Sequence, residues 1–290
     1  MGAAMLGFVA NDAQVKLASE GLPLGEIIFL RGVFSTFLAV VLVMATRQTA
    51  NWRMLRHPAV FLRGFGDVVA TMLFLTAVIN LPLANATVVL QAVPLAVTAA
   101  GAFFLREHVG WRRWTAVAIG LIGVIVVIRP GLAGFSPYSL LALGAVIFIT
   151  LRDLSTNRLP AGLPDILVVA ASLAVVMLAG AVLGLSEDWV WPSAVHWAQL
   201  AGAGICLIAA HWSIIIALRS APVSVTAPFG YTNVVWAVLL GLLIWGDRLE
   251  ALTLLGAGLV VGSGVYALYR ERTLARGELG RERSIGGSGV

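Results

Sequence analysis

The sequence predicts an all-α integral membrane protein, in which ten transmembrane helices form two inverted five-helix repeats around a central cavity. Three observations predict it. First, 60% of the 290 residues are hydrophobic and 11% are charged, where a soluble domain carries about 25% charged residues. With a mean hydropathy of +0.96, so much apolar side chain cannot be hidden from water in a soluble fold, and a bilayer is the solvent that suits it. Second, the apolar residues fall into runs close to the roughly 20 residues that cross a bilayer. Third, the pattern of residues 84–130 (an apolar helix holding a proline, a short charged turn, then a Gly-rich apolar helix) returns from Ser224 onwards. Pro82 then meets Pro222, Gly101 meets Gly241, Glu107 meets Asp247 and Ala118 meets Gly258.

In chain order the runs lie at 2–19, 25–46, 62–80, 84–105, 112–129, 138–157, 165–185, 197–218, 223–245 and 251–269. The first is the most interrupted, by Asn11, Asp12, Gln14 and Lys16. No basic leader or cleavage site precedes it, so no cleaved signal is expected. Leu22-Pro23 after the first run matches Leu163-Pro164 after the sixth, which sets Asp12 on Asp153. The expected division is therefore a first repeat over 1–134, a second over 135–270, and a polar, disordered cytoplasmic tail over 271–290. An odd number of spans per repeat turns the second repeat upside down relative to the first.

Charge supports this topology. The pI is near 10.1 with net charge +5, which in a soluble protein would point to nucleic acid. Here the arginines collect in alternate connections: Arg47, Arg53, Arg56 and Arg63, then Arg106, Arg112 and Arg113, then Arg152 and Arg158, then Arg219, then the tail from Arg270 onwards. The connection after the seventh run is acidic, with Glu187 and Asp188. Positive charge stays inside, so both termini are expected in the cytoplasm. Most tryptophans fall at run ends, as interfacial belts require; Trp212 and Trp236 lie deeper.

The paired modules around Glu107 and Asp247, the five-plus-five plan and the length resemble the drug/metabolite transporter superfamily, in its EamA family. The likeness covers nearly the whole chain up to about Arg272, and within the family it points to bacterial exporters of aromatic amino acids. What the resemblance implies is a ten-helix basket with a central cavity, helices five and ten lying outside it, in a bacterial inner membrane. A monomer moving a small organic solute is expected, with no cofactor, no metal and no nucleic acid.

Other functions lack their residues. An ATP-driven pump needs a phosphate-binding lysine in a Gly-rich loop, and the sole lysine is Lys16. A zinc peptidase needs two histidines one helical turn apart; His57, His108, His196 and His211 are scattered, and the one cysteine, Cys206, makes neither disulfide nor cluster. The acids and histidines do not pair into a hydrolytic site either, so no enzyme activity is expected.

The candidate solute site follows from the repeat. Thr87, Gln91, Pro94 and Thr98 share one helix face. Pro94 kinks that helix and frees carbonyls, and Pro228 breaks its partner near the start. Gln91 falls on Tyr231 and Thr71 on His211. Polar groups at matching positions of both repeats face a common midplane site, or else make interhelical hydrogen bonds. Trp236, Phe74 and Phe229 would add aromatic walls, or pack as core. Asp12, Asp153 and His211 are the candidates for proton coupling or gating. For the two aspartates the spacing favours ion pairs instead, Asp12 with Lys16 one turn on and Asp153 with Arg152 beside it. Asp67 is expected to pair with Arg63 one turn earlier, and Arg31 to snorkel to the outer face or to meet a carboxylate. Two GxxxG pairs, Gly180/Gly184 and Gly258/Gly262, are expected to pack within the chain.

Overall fold

In a computed structural model, which describes residues 1–48, 52–104, 110–132, 134–160, 162–220, 226–247 and 250–286, the described chain is helical with turns and no strand. The elements are α1 (Gly2–Ala18), α2 (Leu24–Ala45), a 3₁₀ turn (Trp52–Arg56), α3 (Pro58–Asn80), α4 (Leu83–Leu90), α5 (Val93–Phe104), α6 (Trp111–Ile128), α7 (Tyr138–Thr156), α8 (Asp165–Gly184), α9 (Ala194–Ser220), a 3₁₀ turn (Ala227–Tyr231), α10 (Thr232–Trp245) and α11 (Ala251–Gly286). Among the described residues, eight segments are long and apolar enough to cross a bilayer, α4 and α5 counting as one. The 17-residue α1 and the apolar part of α11, Ala251–Ala267, complete the ten expected segments. The helix of α11 runs on through polar residues to Gly286. Glu107 and Pro222 lie outside the described residues.

Prolines open several of these helices. Pro23, Pro82, Pro137 and Pro164 stand at N-caps and Pro58 in a first turn, where the missing N–H would have had no intrahelical partner anyway. This is why α3 starts at Pro58 rather than at 62. The start of α2 is also tied across the bundle. The Glu187 carboxylate accepts the Gly25 N–H at 2.8 and 3.1 Å, and buried Glu26 accepts the Val190 N–H at 3.0 Å. The acidic connection after α8 is thus a cap on the positive end of α2.

The principal packing pairs are α2 on α8, α3 on α7, α1 on α9 and α6 on α11. Exchanging the first five spans with the last five maps α3–α7 onto α9–α1 and returns α2–α8 and α6–α11 to themselves. The lesser pairs obey the same exchange: α2–α9 with α3–α8, and α1–α10 with the α4/α5 span on α7. Glycine makes the tightest of these contacts possible. A Cβ on Gly180 would stand 2.6 Å from Ile28, and one on Gly32 2.7 Å from Met177. Gly180 and Gly184 do pack within the chain, as expected. Gly258 and Gly262 do not: nothing among the described residues lies within 4 Å of their Cβ positions. The glycines of α11 that meet neighbours are Gly256, against Gly123 and Val127, and Gly264, against Tyr231. A GxxxG spacing marks one face of a helix but not which neighbour that face meets.

Candidate functional site

The fourth and ninth spans are both interrupted, at matching places. In the fourth, Pro94 has no N–H to give the Leu90 carbonyl, and α4 ends there. Gln91 and Ala92 donate instead to Val88 and Val89, three residues back, at 3.1 Å each, before α5 resumes at Val93. In the ninth, Pro228 holds the chain in the 3₁₀ turn that ends at Tyr231, and α10 begins at the next residue. The two breaks touch. Gln91 Nε2 donates to the Gly230 carbonyl at 3.3 Å. Gln91 and Tyr231, 9% and 6% exposed, therefore stand together where the two broken helices cross. The Tyr231 hydroxyl is buried without a hydrogen-bond partner among the described residues and is accommodated by the missing side chain of Gly264.

Apolar groups surround this crossing. One core cluster joins Val88, Val89 and Ala92 to Val234 and Ala237, with Phe74 and Trp236 packed against it. The Trp236 indole N–H is likewise buried and unpartnered among the described residues. Phe229, by contrast, is 52% exposed. Thr87 turns back on its own helix, its hydroxyl donating to the Leu83 carbonyl at 2.8 Å.

A second group lies in the half of the bundle nearer the chain termini. Asp67 of α3 pairs with Arg152 of α7 at 3.1 Å, and the same guanidinium pairs with Asp153 at 2.9 Å. Arg63 donates to the Thr156 hydroxyl at 2.5 Å. His211 of α9 is half-buried beside the Phe8 ring, centroids 5.1 Å apart. Its Nδ1 stands 2.9 Å from the Leu207 carbonyl, which only accepts, so a neutral ring keeps Nε2 as an acceptor. Thr71, its repeat partner, is half-buried on α3 one turn beyond Asp67.

Three expectations are corrected here. Asp67 takes Arg152 from another helix, because α3 and α7 touch at Gly66, whereas Arg63 reaches to Thr156 of α7. Asp12 does not pair with Lys16. It accepts from Asn11 at 2.9 Å, with Arg31 as its facing cation, while Lys16 donates to the Leu81 carbonyl and lies 5.2 Å from the Trp245 ring centroid. Arg31 does not snorkel: it is 4% exposed and donates to Asn11 Oδ1 at 3.1 Å. The pairing of Asp153 with Arg152 stands as expected. Asp247 belongs to the end of α10, where Gly246 is left-handed and the Asp247 N–H returns to the Gly241 carbonyl at 3.2 Å, a helix-ending turn.

A cavity of about 70 Å³ lies at the far end from the termini, lined in part by Asn85, Arg129, Asp247, Glu250 and Thr253. Metabolite sites run to about 300 Å³ or more, so it is too small for one, and neither Gln91 nor Tyr231 lines it. Arg129, whose partners the sequence does not reveal, is held there by Glu250 and Thr253.

Comparison with known proteins decides the family. The EamA-like transporter family model matches residues 2–129 and 136–269. The chain belongs to the EamA-like transporter family. Among similar proteins, a riboflavin transporter of Vibrio cholerae is 29% identical over 254 residues, 86% of this chain and 84% of that one. An S-adenosylmethionine uptake transporter of Rickettsia felis is 26% identical, covering 91% and 89%, and a pseudopaline exporter of Pseudomonas aeruginosa 25% identical, covering 88% and 89%. One solved crystal structure superposes with a TM-score of 0.62 at 21% identity, covering 92% of this chain and 96% of that one, which shows a shared fold. These relatives move various small metabolites; none of the three is an aromatic amino acid exporter. This EamA-like chain is thus a multi-pass member of a transporter family.

Proposed function

We propose that this chain is a secondary transporter of a bacterial inner membrane that exports small amphipathic metabolites, neutral and aromatic amino acids among them, by alternating access. Its two halves, 1–134 and 135–270, move as inverted repeats about the crossing of the broken fourth and ninth spans. The observation that carries the reading is the Gln91–Gly230 hydrogen bond: it joins two helix breaks at matching repeat positions, where freed backbone groups serve a solute. Gln91 and Tyr231 supply an amide and a hydroxyl, Thr71 and His211 a second pair of polar groups, and Phe74 and Trp236 apolar walls; Thr87 supports the α4 side. Asp12, Asp153 and His211 are the groups that would take part in proton coupling or gating. Similar proteins handle riboflavin and S-adenosylmethionine, each of which carries a flat heteroaromatic ring of its own kind, and the latter an α-amino acid end. That chemistry fits a site with rings and uncharged polar groups.

The test is uptake of labelled tryptophan, phenylalanine, riboflavin and S-adenosylmethionine into proteoliposomes, with and without a pH gradient. Tryptophan uptake above protein-free vesicles is expected, reduced when Gln91→Ala replaces the native chain. Uptake of the other solutes with none of tryptophan would remove the amino acid assignment; no uptake of any would remove the transporter reading.

A further inference from the structure

The exchange that maps one half onto the other also maps the α3–α7 seam onto the α9–α1 seam, and the two are not alike in chemistry. At the first, the backbones nearly touch. A Cβ on Gly66 would stand 2.9 Å from the Phe148 carbonyl oxygen and 3.1 Å from the Arg152 nitrogen. At the second, a Cβ on Gly7 would stand 3.0 Å from the Cys206 carbonyl oxygen, and Gly7 and Phe148, like Cys206 and Gly66, are repeat counterparts. Next to Gly66 stands Asp67, bound to Arg152 at 3.1 Å; their counterparts across the exchange are Leu207 and Asn11, which cannot form an ion pair. Arg63 and Thr156 extend the first seam: Arg63 donates to the Thr156 hydroxyl, which donates to the Arg152 carbonyl at 2.9 Å. Arg31 and His211, from α2 and α9, also lie within electrostatic reach of Asp67. One carboxylate thus faces cations from α2, α3 and α7 and a histidine from α9.

We propose that the Asp67–Arg152 ion pair is the gate at the termini end of the bundle, opened and re-formed in each transport cycle, and that Asp67 is its positioning residue. The α1–α9 seam holds polar contacts but no ion pair among the described residues, with Gln14 Nε2 3.6 Å from Cys206 Sγ and Phe8 against the His211 ring, so the two seams are unequal and the ion pair favours the state shut at the termini end. This rests on the alternating-access reading above, but its test needs no solute. Taking away Asp67 leaves Arg152 bound only to Asp153 of its own helix, and taking away Arg152 leaves Asp67 without the cation it bonds on α7, so either change removes the charged tie across the seam. The native pair therefore keeps the seam shut, and neutralising one member loosens that seam more than the rest of the bundle.

The experiment measures labelling by a polar maleimide of the Cys206→Ser chain in nanodiscs, where both faces are open to reagent. Reporter cysteines replace Ala70, buried beyond the ion pair on α3, or Ala13, buried on α1. Asp67→Asn and Arg152→Gln are expected to speed labelling at position 70 by about tenfold or more while position 13 slows or stays unchanged. Asp67→Glu, which keeps the charge, is expected to leave labelling slow. The double variant Asp67→Asn/Arg152→Gln is expected to add no more than about twofold to either single, because both remove one interaction. Unchanged labelling at position 70, an equal rise at both positions, or multiplicative effects in the double variant would each overturn the gate. The readout is conformational, so the gate stands or falls whether or not any particular solute is carried, and loss of the gate leaves the transporter reading standing on the uptake assay.

Discussion

At Gly264 a methyl group would stand 1.7 Å from the Tyr231 hydroxyl, so α11 leaves out a side chain where the ninth span needs room for a ring. Gly264→Ala must push Tyr231 out of the crossing. The expected cost is about 1–3 kcal/mol of stability, typical of overpacking, read as a lowered melting temperature in detergent; adding Tyr231→Phe should regain only part of it, because the ring Cζ still overlaps the new methyl, whereas Tyr231→Ala should remove the clash. Gln91 makes a different prediction. Its bond to Gly230 is worth about 0.6 kcal/mol, as interhelical bonds in membranes are, so Gln91→Leu should barely move the melting temperature. Transport by the same variant should fall about tenfold or more if the amide meets solute. A melting shift that accounts for the whole loss would make Gln91 a packing residue. At this scale the sequence was legible where a residue acts on its own helix, as Asp153 does with Arg152 beside it. It was not legible where the partner is remote. Asp67 has Arg63 one turn away, yet it bonds Arg152, 85 residues on, and nothing in a helical spacing shows which interior carboxylate faces which guanidinium.

Among the elements, the broken fourth span and the capped second carry the clearest consequences. Pro94→Ala restores an N–H for the Leu90 carbonyl, and helix propensity favours alanine over proline by about 3 kcal/mol in a helix interior. The variant should therefore melt higher and transport more slowly, because a continuous helix has no break at which to bend. A faster variant would mean that the break plays no part in the cycle. Glu187→Ala removes the carboxylate that holds the start of α2, at a cost of about 1 kcal/mol, the usual worth of an N-terminal cap; Glu187→Gln should lie between. Helix positions were legible because hydropathy and proline act locally. The α3 start was not, since Arg56, His57 and Arg63 bracket its apolar first turn of Pro58, Ala59, Val60 and Phe61 and hide it in a charged stretch. Nor was the outward aspect of Gly258 and Gly262, which depends on where α6 lies.

Over the whole molecule, the packing pairs that survive exchange of the two five-span halves are what an inverted duplication requires, and five spans per half place both termini on one face. Tags at the two ends should be digested together, in inside-out vesicles and not in right-side-out ones; digestion of one tag only would break the topology. The asymmetry inside that plan matters as much as its symmetry. An ion pair joins α3 to α7, whereas the charges beside the matching α1–α9 seam, Asp12 and Arg31, face each other from α1 and α2, so the halves share a shape without sharing an energy. The repeat itself was legible from residues that recur at a shift of 140, Pro82 with Pro222 and Gly101 with Gly241, because such spacing is read from the sequence alone. The unequal chemistry was visible as residue types but not as contacts. The central claim is that the crossing of the two broken spans is presented to each side of the membrane in turn. The measurement that bears on it most directly places a cysteine at Gln91 in the Cys206→Ser chain and offers an impermeant thiol reagent from one face of sealed vesicles at a time. Labelling from either face, slowed from both by a transported solute, is the predicted result; labelling from one face alone, whatever the solute, would contradict it.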